Sequence, residues 1–283
     1  MKSIPHIAST IFMLVSFALT AQAQDIACCQ LNTSANAQFA SLGTDGEFVV
    51  AHALPLETTH TAGGEAIRFT VEGGEEGRAY LVKAATPTNN YIFVIHEWWG
   101  LNDHIRREAD SLAAVMGNVH VIALDLYDGK VATTRENASK YMQGVKQERA
   151  EAIIKGARVY VGKDAKVATI GWCFGGGWSL QTSLLLEEQA AGCVIYYGMP
   201  LQEAEKLKSL KSNVLGIFAE KDGWITPEVV NNFKETAEGV GKKVTIHQFD
   251  ADHAFANPSS ERYNKEAATK ANALVLEFLK ERL

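Results

Sequence analysis

The sequence predicts an α/β protein: a mostly parallel central sheet flanked by helices on both faces. Three observations carry this expectation. Short, nearly unbroken apolar runs recur along residues 66–283, and stretches with helical spacing fill the gaps between them. Strands that alternate with helices pair in parallel, because each crossover helix returns the chain to the same edge. Runs without in–out alternation are those of strands buried on both faces. The third observation is a glycine-rich turn placed where one such run meets a helix.

Taken in order, 67–71 and 79–82 read as two antiparallel strands joined through Gly73-Gly74. Continuous apolar runs at 91–95, 119–124, 167–170, 194–197, 214–218 and 244–249 read as buried strands. Helical patterns cover about 103–117, 133–161 (broken once), 176–188, 226–239 and 259–282. No internal repeat or long low-complexity linker interrupts 66–283, so this is one domain.

The start of the chain is different material. Lys2, the apolar stretch 11–19 and Ala21-Gln22-Ala23 form the charged start, core and small-residue site of a signal peptide. Residues 1–23 are therefore expected to direct export to a secreted or periplasmic location, with cleavage near Ala23. The apolar stretch falls short of the roughly 20 residues of a membrane span. Residues 24–65 read as an extended leader with one early strand near 48–50.

With 47% hydrophobic and 21% charged residues, the chain has the composition of an ordinary globular protein. A formal net charge of −6 and the lack of a basic stripe argue against nucleic acid as a partner. Of four cysteines, Cys28 and Cys29 lie in the leader, where they could bridge each other, a partner chain or nothing. Cys193 reads as a small buried hydrophobe.

Cys173 carries the chemistry. The strand at 167–170 runs into Gly171-Trp172-Cys173-Phe174-Gly175-Gly176-Gly177. This is the strand-to-helix nucleophile turn G-x-S-x-G with cysteine in the serine position. Glycines are needed where strand and helix crowd the turn, and the helix N-terminus favours a thiolate. In this arrangement an acid and then a histidine follow the nucleophile along the chain. Asp222 falls just after the run at 214–218, and His253 in the loop after 244–249. Both are at carboxyl ends of strands, where open α/β sheets build their sites. Asp250 and Asp252 are rival orienting acids, ranked lower because they adjoin the histidine.

From about residue 66 to 283 the chain resembles the dienelactone hydrolases, cysteine-dependent members of the α/β-hydrolase superfamily. The resemblance rests on the Cys173 turn and on His96-Glu97-Trp98-Trp99-Gly100-Leu101-Asn102. Asp125-Leu126-Tyr127, Lys221-Asp222 and Asp252-His253-Ala254-Phe255 complete it. It implies the α/β-hydrolase fold and a catalytic set of Cys173, His253, Asp222 and Glu97, with Glu97 contacting the resting thiol. The oxyanion donors are then the backbone N–H groups of Phe174 and Trp98. The resemblance further implies a substrate-carboxylate clamp of two arginines, one falling on Arg135; the other position is Asn257, which offers only neutral hydrogen bonds. Trp99 and Trp224 are expected to wall the substrate pocket.

The expected reaction is cleavage of a small-molecule ester or lactone through an acyl-thioester. No cofactor is expected, and no metal, because His96-Glu97 lacks a second spaced histidine. The alternatives are a broad carboxylesterase or thioesterase, and a non-catalytic small-molecule-binding protein on the same scaffold.

Overall fold

The computed structural model describes Met1 and residues 34–52, 54 and 60–283. Residues 2–23 of the proposed signal peptide and both leader cysteines lie outside the described residues. The described residues from Ser34 onward belong to one compact unit. Among the described residues no helix is long and apolar enough to cross a membrane.

The sheet has eight strands: β1 (Glu65–Phe69), β2 (Gly77–Val82), β3 (Asn90–Ile95), β4 (His120–Leu124), β5 (Lys166–Trp172), β6 (Ala190–Tyr196), β7 (Val214–Ala219) and β8 (Val244–Phe249). Their order is β1-β2-β4-β3-β5-β6-β7-β8. β1 and β2 pair antiparallel, β2 meets β4 antiparallel, and every later pair is parallel. All eight strands coincide with the predicted runs to within a few residues. The central ones are apolar throughout because helices cover both their faces; Ile92 to Ile95 and Val121 to Leu124 have no exposed surface.

From β3 the chain passes to β4 on one side, and β5 then lies on the other side of β3. Loops leaving β3 and β5 therefore part from each other, which opens a crevice at their carboxyl ends. The helices are α1 (Ala35–Ser41), α2 (Gly46–Ala51), α3 (Asp103–Met116), α4 (Arg135–Gln143), α5 (Gln147–Val161), α6 (Phe174–Leu186), α7 (Ala204–Leu207), α8 (Pro227–Gly239) and α9 (Lys265–Lys280). The predicted break in 133–161 falls at Gly144, between α4 and α5.

Two corrections concern the leader. Its described part, 34–52, is not extended but forms α1 and α2, and Phe48 to Val50, expected as a strand, are helical. Ser34 accepts from the Ala37 N–H and Asp45 from those of Glu47 and Phe48, which caps both helices. Helices of seven and six residues have little stability of their own. Burial of Phe39 and Phe48 against the body of the protein holds them.

α6 packs so closely on the sheet that a side chain at Gly175 has no room. A Cβ there would stand 2.3 Å from the Ile95 carbonyl oxygen and 2.5 Å from that of His96. Neither is a flexible group that can swing aside. Gly175→Ala is therefore expected to destabilise the fold by about 3 kcal/mol or more, measured by urea denaturation. A change within about 0.5 kcal/mol would show that α6 can shift away from β3 at little cost.

Candidate active site

The turn after β5 forces Cys173 to φ 57° and ψ −120°, a conformation few side-chain-bearing residues adopt. It lifts the sulfur over the carboxyl edge of the sheet at the start of α6. The backbone N–H groups of Phe174 and Trp98 both point at Sγ. The Trp98 loop is braced from below by the Tyr127 hydroxyl, which donates to the Trp98 carbonyl at 3.1 Å. Asp125 in turn shapes that neighbouring loop by accepting from the Tyr127 and Gly129 N–H groups.

β7 and β8 deliver the acid and the base. Asp222 Oδ2 lies 2.6 Å from His253 Nδ1, and both side chains are buried. Asp222 Oδ1 accepts from the N–H groups of Trp224 and Ile225. Burial works to raise the Asp222 carboxyl, but His253 and these two N–H groups outweigh it and hold it below the ordinary range. An ionised Asp222 can only accept, so the neutral imidazole keeps its proton on Nδ1 and its lone pair on Nε2. That Nε2 has no hydrogen-bond partner among the described residues, and a ring nitrogen of His253 lies within 4.8 Å of Sγ. Asp250, the rival acid, is exposed and pairs with Lys221 instead.

Glu97 is held by a neighbour of its own. Its carboxylate accepts from Asn257 Nδ2 at 2.6 Å, and the thiol is hydrogen-bonded to His52. Asn257 is thus committed to Glu97 and, through its oxygen, to Ser259. Burial pushes the Glu97 carboxyl up to about 8 despite the Asn257 contact. Burial likewise raises the Cys173 thiol well above its usual range, followed by the Glu97 charge, with the two N–H groups opposing. At neutral pH Glu97 is mostly uncharged, so burial is what keeps the thiol protonated. The helix N-terminus, expected to favour a thiolate, is outweighed.

The sequence reading missed what covers the site. α2 inserts Phe48 and His52 directly over it. The Phe48 ring meets Trp98, Trp224 and His253 at centroid distances of 5.7, 5.2 and 5.9 Å. The His52 ring packs at a tilt of 55° against Trp98, centroids 4.5 Å apart, and its Nε2 lies 3.8 Å from Sγ. Its Nδ1–H donates to the Phe48 carbonyl at 2.7 Å. Burial, reinforced by His253, lowers its pKa to about 3, so the ring is neutral.

Arg135 Nε donates to the His52 carbonyl at 2.7 Å, and Trp224 Nε1 to Asp45 at 3.2 Å. Two residues expected to meet substrate thus hold the strap 34–52 in place. Trp99 is buried against Trp98. Cavities of about 340 Å³ over Phe174 and Trp178 and about 1240 Å³ over α3 are lined by none of Cys173, Asp222 or His253. Asp45-Gly46-Glu47-Phe48, a helix cap before an apolar residue, was the signal for α2 in the sequence.

Residues 78–283 match the model of the dienelactone hydrolase family. The chain belongs to the dienelactone hydrolase family. It is a hydrolase. The chain is 26% identical over 230 residues to carboxymethylenebutenolidase 1 of Cupriavidus pinatubonensis, covering 76% of this chain and 96% of that one. It is 28% identical over 214 residues to the carboxymethylenebutenolidase of Pseudomonas putida, covering 70% and 86%. Among solved structures it resembles the dienelactone hydrolase of Anabaena variabilis, with a TM-score of 0.58, 19% identity and coverage of 79% and 100%. It also resembles a dienelactone hydrolase-like promiscuous phosphotriesterase from metagenomic libraries, with a TM-score of 0.65, 20% identity and coverage of 78% and 99%. These two likenesses show the α/β-hydrolase fold.

The buried Glu97 gives a stability prediction. Unfolded, the residue ionises near its ordinary 4.5; folded, it holds its proton up to about 8. Between those values the folded state binds more protons, so stability falls as pH rises through the window. Glu97→Gln removes the effect while leaving an oxygen for Asn257 to donate to. Its stability relative to wild type should therefore grow from about pH 5 to about pH 8. A difference independent of pH in thermal melts would show that Glu97 ionises normally.

Proposed function

We propose that the protein is an exported esterase or lactonase that works by two-step acyl transfer through Cys173, His253 and Asp222. The observation that carries this reading is the His253–Asp222 contact at 2.6 Å, with a ring nitrogen of His253 within 4.8 Å of a sulfur facing two backbone donors. His253 Nε2 takes the thiol proton as Sγ attacks the ester carbonyl carbon, and Asp222 stabilises the imidazolium. The N–H groups of Phe174 and Trp98 receive the oxyanion. The tetrahedral adduct collapses as His253 returns the proton to the leaving alcohol oxygen, which leaves an acyl-thioester. His253 next deprotonates water, the hydroxyl attacks the thioester, and the acid departs as the thiol is restored.

Substrate reaches the sulfur only after Phe48 and His52 withdraw. Withdrawal also frees Arg135 from the His52 carbonyl and leaves it as one cationic contact in a pocket walled by Trp98, Trp99 and Trp224. A single arginine with Asn257 bound to Glu97 is a weaker carboxylate clamp than two guanidinium forks, so uncharged esters and lactones fit better. Export follows from the charged, apolar and small-residue pattern of residues 1–23.

A panel of slow aryl esters and lactones, read by intact mass, tests the mechanism. An acyl adduct on Cys173 is expected in wild type and in no preparation of Cys173→Ala, whose turnover should fall by about 10³-fold or more. Adduct-free turnover that survives Cys173→Ala would exclude covalent catalysis by this sulfur. Phe48→Ala should raise kcat/KM by about tenfold, a fraction of the ~3–5 kcal/mol held by a buried phenylalanine. Unchanged kcat/KM would show that the strap does not limit access.

A further inference from the structure

His52 brings a third soft donor to the catalytic pair, and no step of the acyl transfer uses it. We propose that His52 Nε2, His253 Nε2 and Cys173 Sγ form a site for one thiophilic metal ion, Zn²⁺ in chemical class, which pins the strap shut and leaves the hydrolase latent. The three donor atoms all lie within 4.8 Å of one another, and the His52 Nε2–Sγ separation is 3.8 Å. Zn–N bonds of about 2.0–2.1 Å and a Zn–S bond of about 2.3 Å place tetrahedral N and S donors about 3.6 Å apart. The His52–Cys173 pair already stands close to that spacing.

Both imidazoles are already set for ligation. Each holds its proton on Nδ1, one against the Phe48 carbonyl and the other against Asp222, which leaves the lone pair of its Nε2 free to ligate. Such outer contacts orient metal-bound histidines and raise their basicity. His253 Nε2 is buried without a hydrogen-bond partner, an orphaned acceptor beside the thiol and His52. A thiolate with two imidazoles selects Zn²⁺-like ions over hard cations such as Mg²⁺. On binding, the thiol proton leaves to solvent, and the thiolate and the Asp222 carboxylate balance a divalent charge. Because His52 belongs to the strap, metal binding and closure favour each other.

Titration of the metal-free full chain with Co²⁺, which reports thiolate ligation by a charge-transfer band, tests the site. One equivalent should give the band in wild type and in Cys28→Ser/Cys29→Ser, be displaced by Zn²⁺, and be absent in Cys173→Ala. His52→Ala should bind at least about tenfold more weakly, while its circular dichroism and cooperative thermal melt show an intact fold; His52→Gln provides a second variant. Wild-type affinity in both His52 variants, a band that survives Cys173→Ala, or no band in wild type would overturn the proposal. The readout needs no turnover, so a chain that binds Co²⁺ in this pattern but never forms an acyl adduct would refute the hydrolytic mechanism and leave the metal site standing.

Discussion

The site depends on one close approach of backbones, that of Gly175 at the start of α6 to the carbonyls of Ile95 and His96 at the end of β3. This contact fixes how far the turn bearing Cys173 stands from the loop bearing Trp98. Two peptide N–H groups from different elements therefore face one sulfur without any side chain to position them. It also requires the strained backbone at Cys173, where α6 must begin immediately after β5. Asp222 and His253 arrive from β7 and β8, and the crevice at β3 and β5 decides where they meet the thiol.

Most of this was legible in the residues because the signals are local. Strands buried on both faces must be apolar without alternation, and the glycines at 171 and 175–177 mark a turn that tolerates no Cβ. Asp222 and His253 were readable from order and strand-end position. Asp222 ranks over Asp250 in the sequence only because Asp250 adjoins the histidine; the lie of β7 beside β8 is what brings Asp222 to the ring. Asn257 and Arg135 were read as facing substrate. Their actual partners, Glu97 and the His52 carbonyl, are separated from them by 160 and 83 positions and leave no local trace.

The strap was the least legible part for a physical reason. Its helices are too short to show a periodic apolar face, and their stability comes from tertiary burial of single residues such as Phe48. Closure sets the electrostatics of the whole centre. Out of water, Glu97 and the Cys173 thiol stay protonated and His52 stays neutral. A protonated, covered thiol is poorly nucleophilic and resists oxidation, which suits an enzyme expected to be exported. The same exclusion of water would strengthen the backbone donors once an oxyanion forms between them.

The central claim is that the resting protein presents a complete Cys–His–Asp arrangement shut beneath residues 34–52. The rate at which iodoacetamide alkylates Cys173 in the native protein, read on its own peptide by mass spectrometry, tests this most directly. The account predicts slow alkylation in wild type, accelerated by about tenfold or more when Phe48 is truncated, with Cys193 unreactive in both. Equal and rapid alkylation of Cys173 in the two proteins would contradict it.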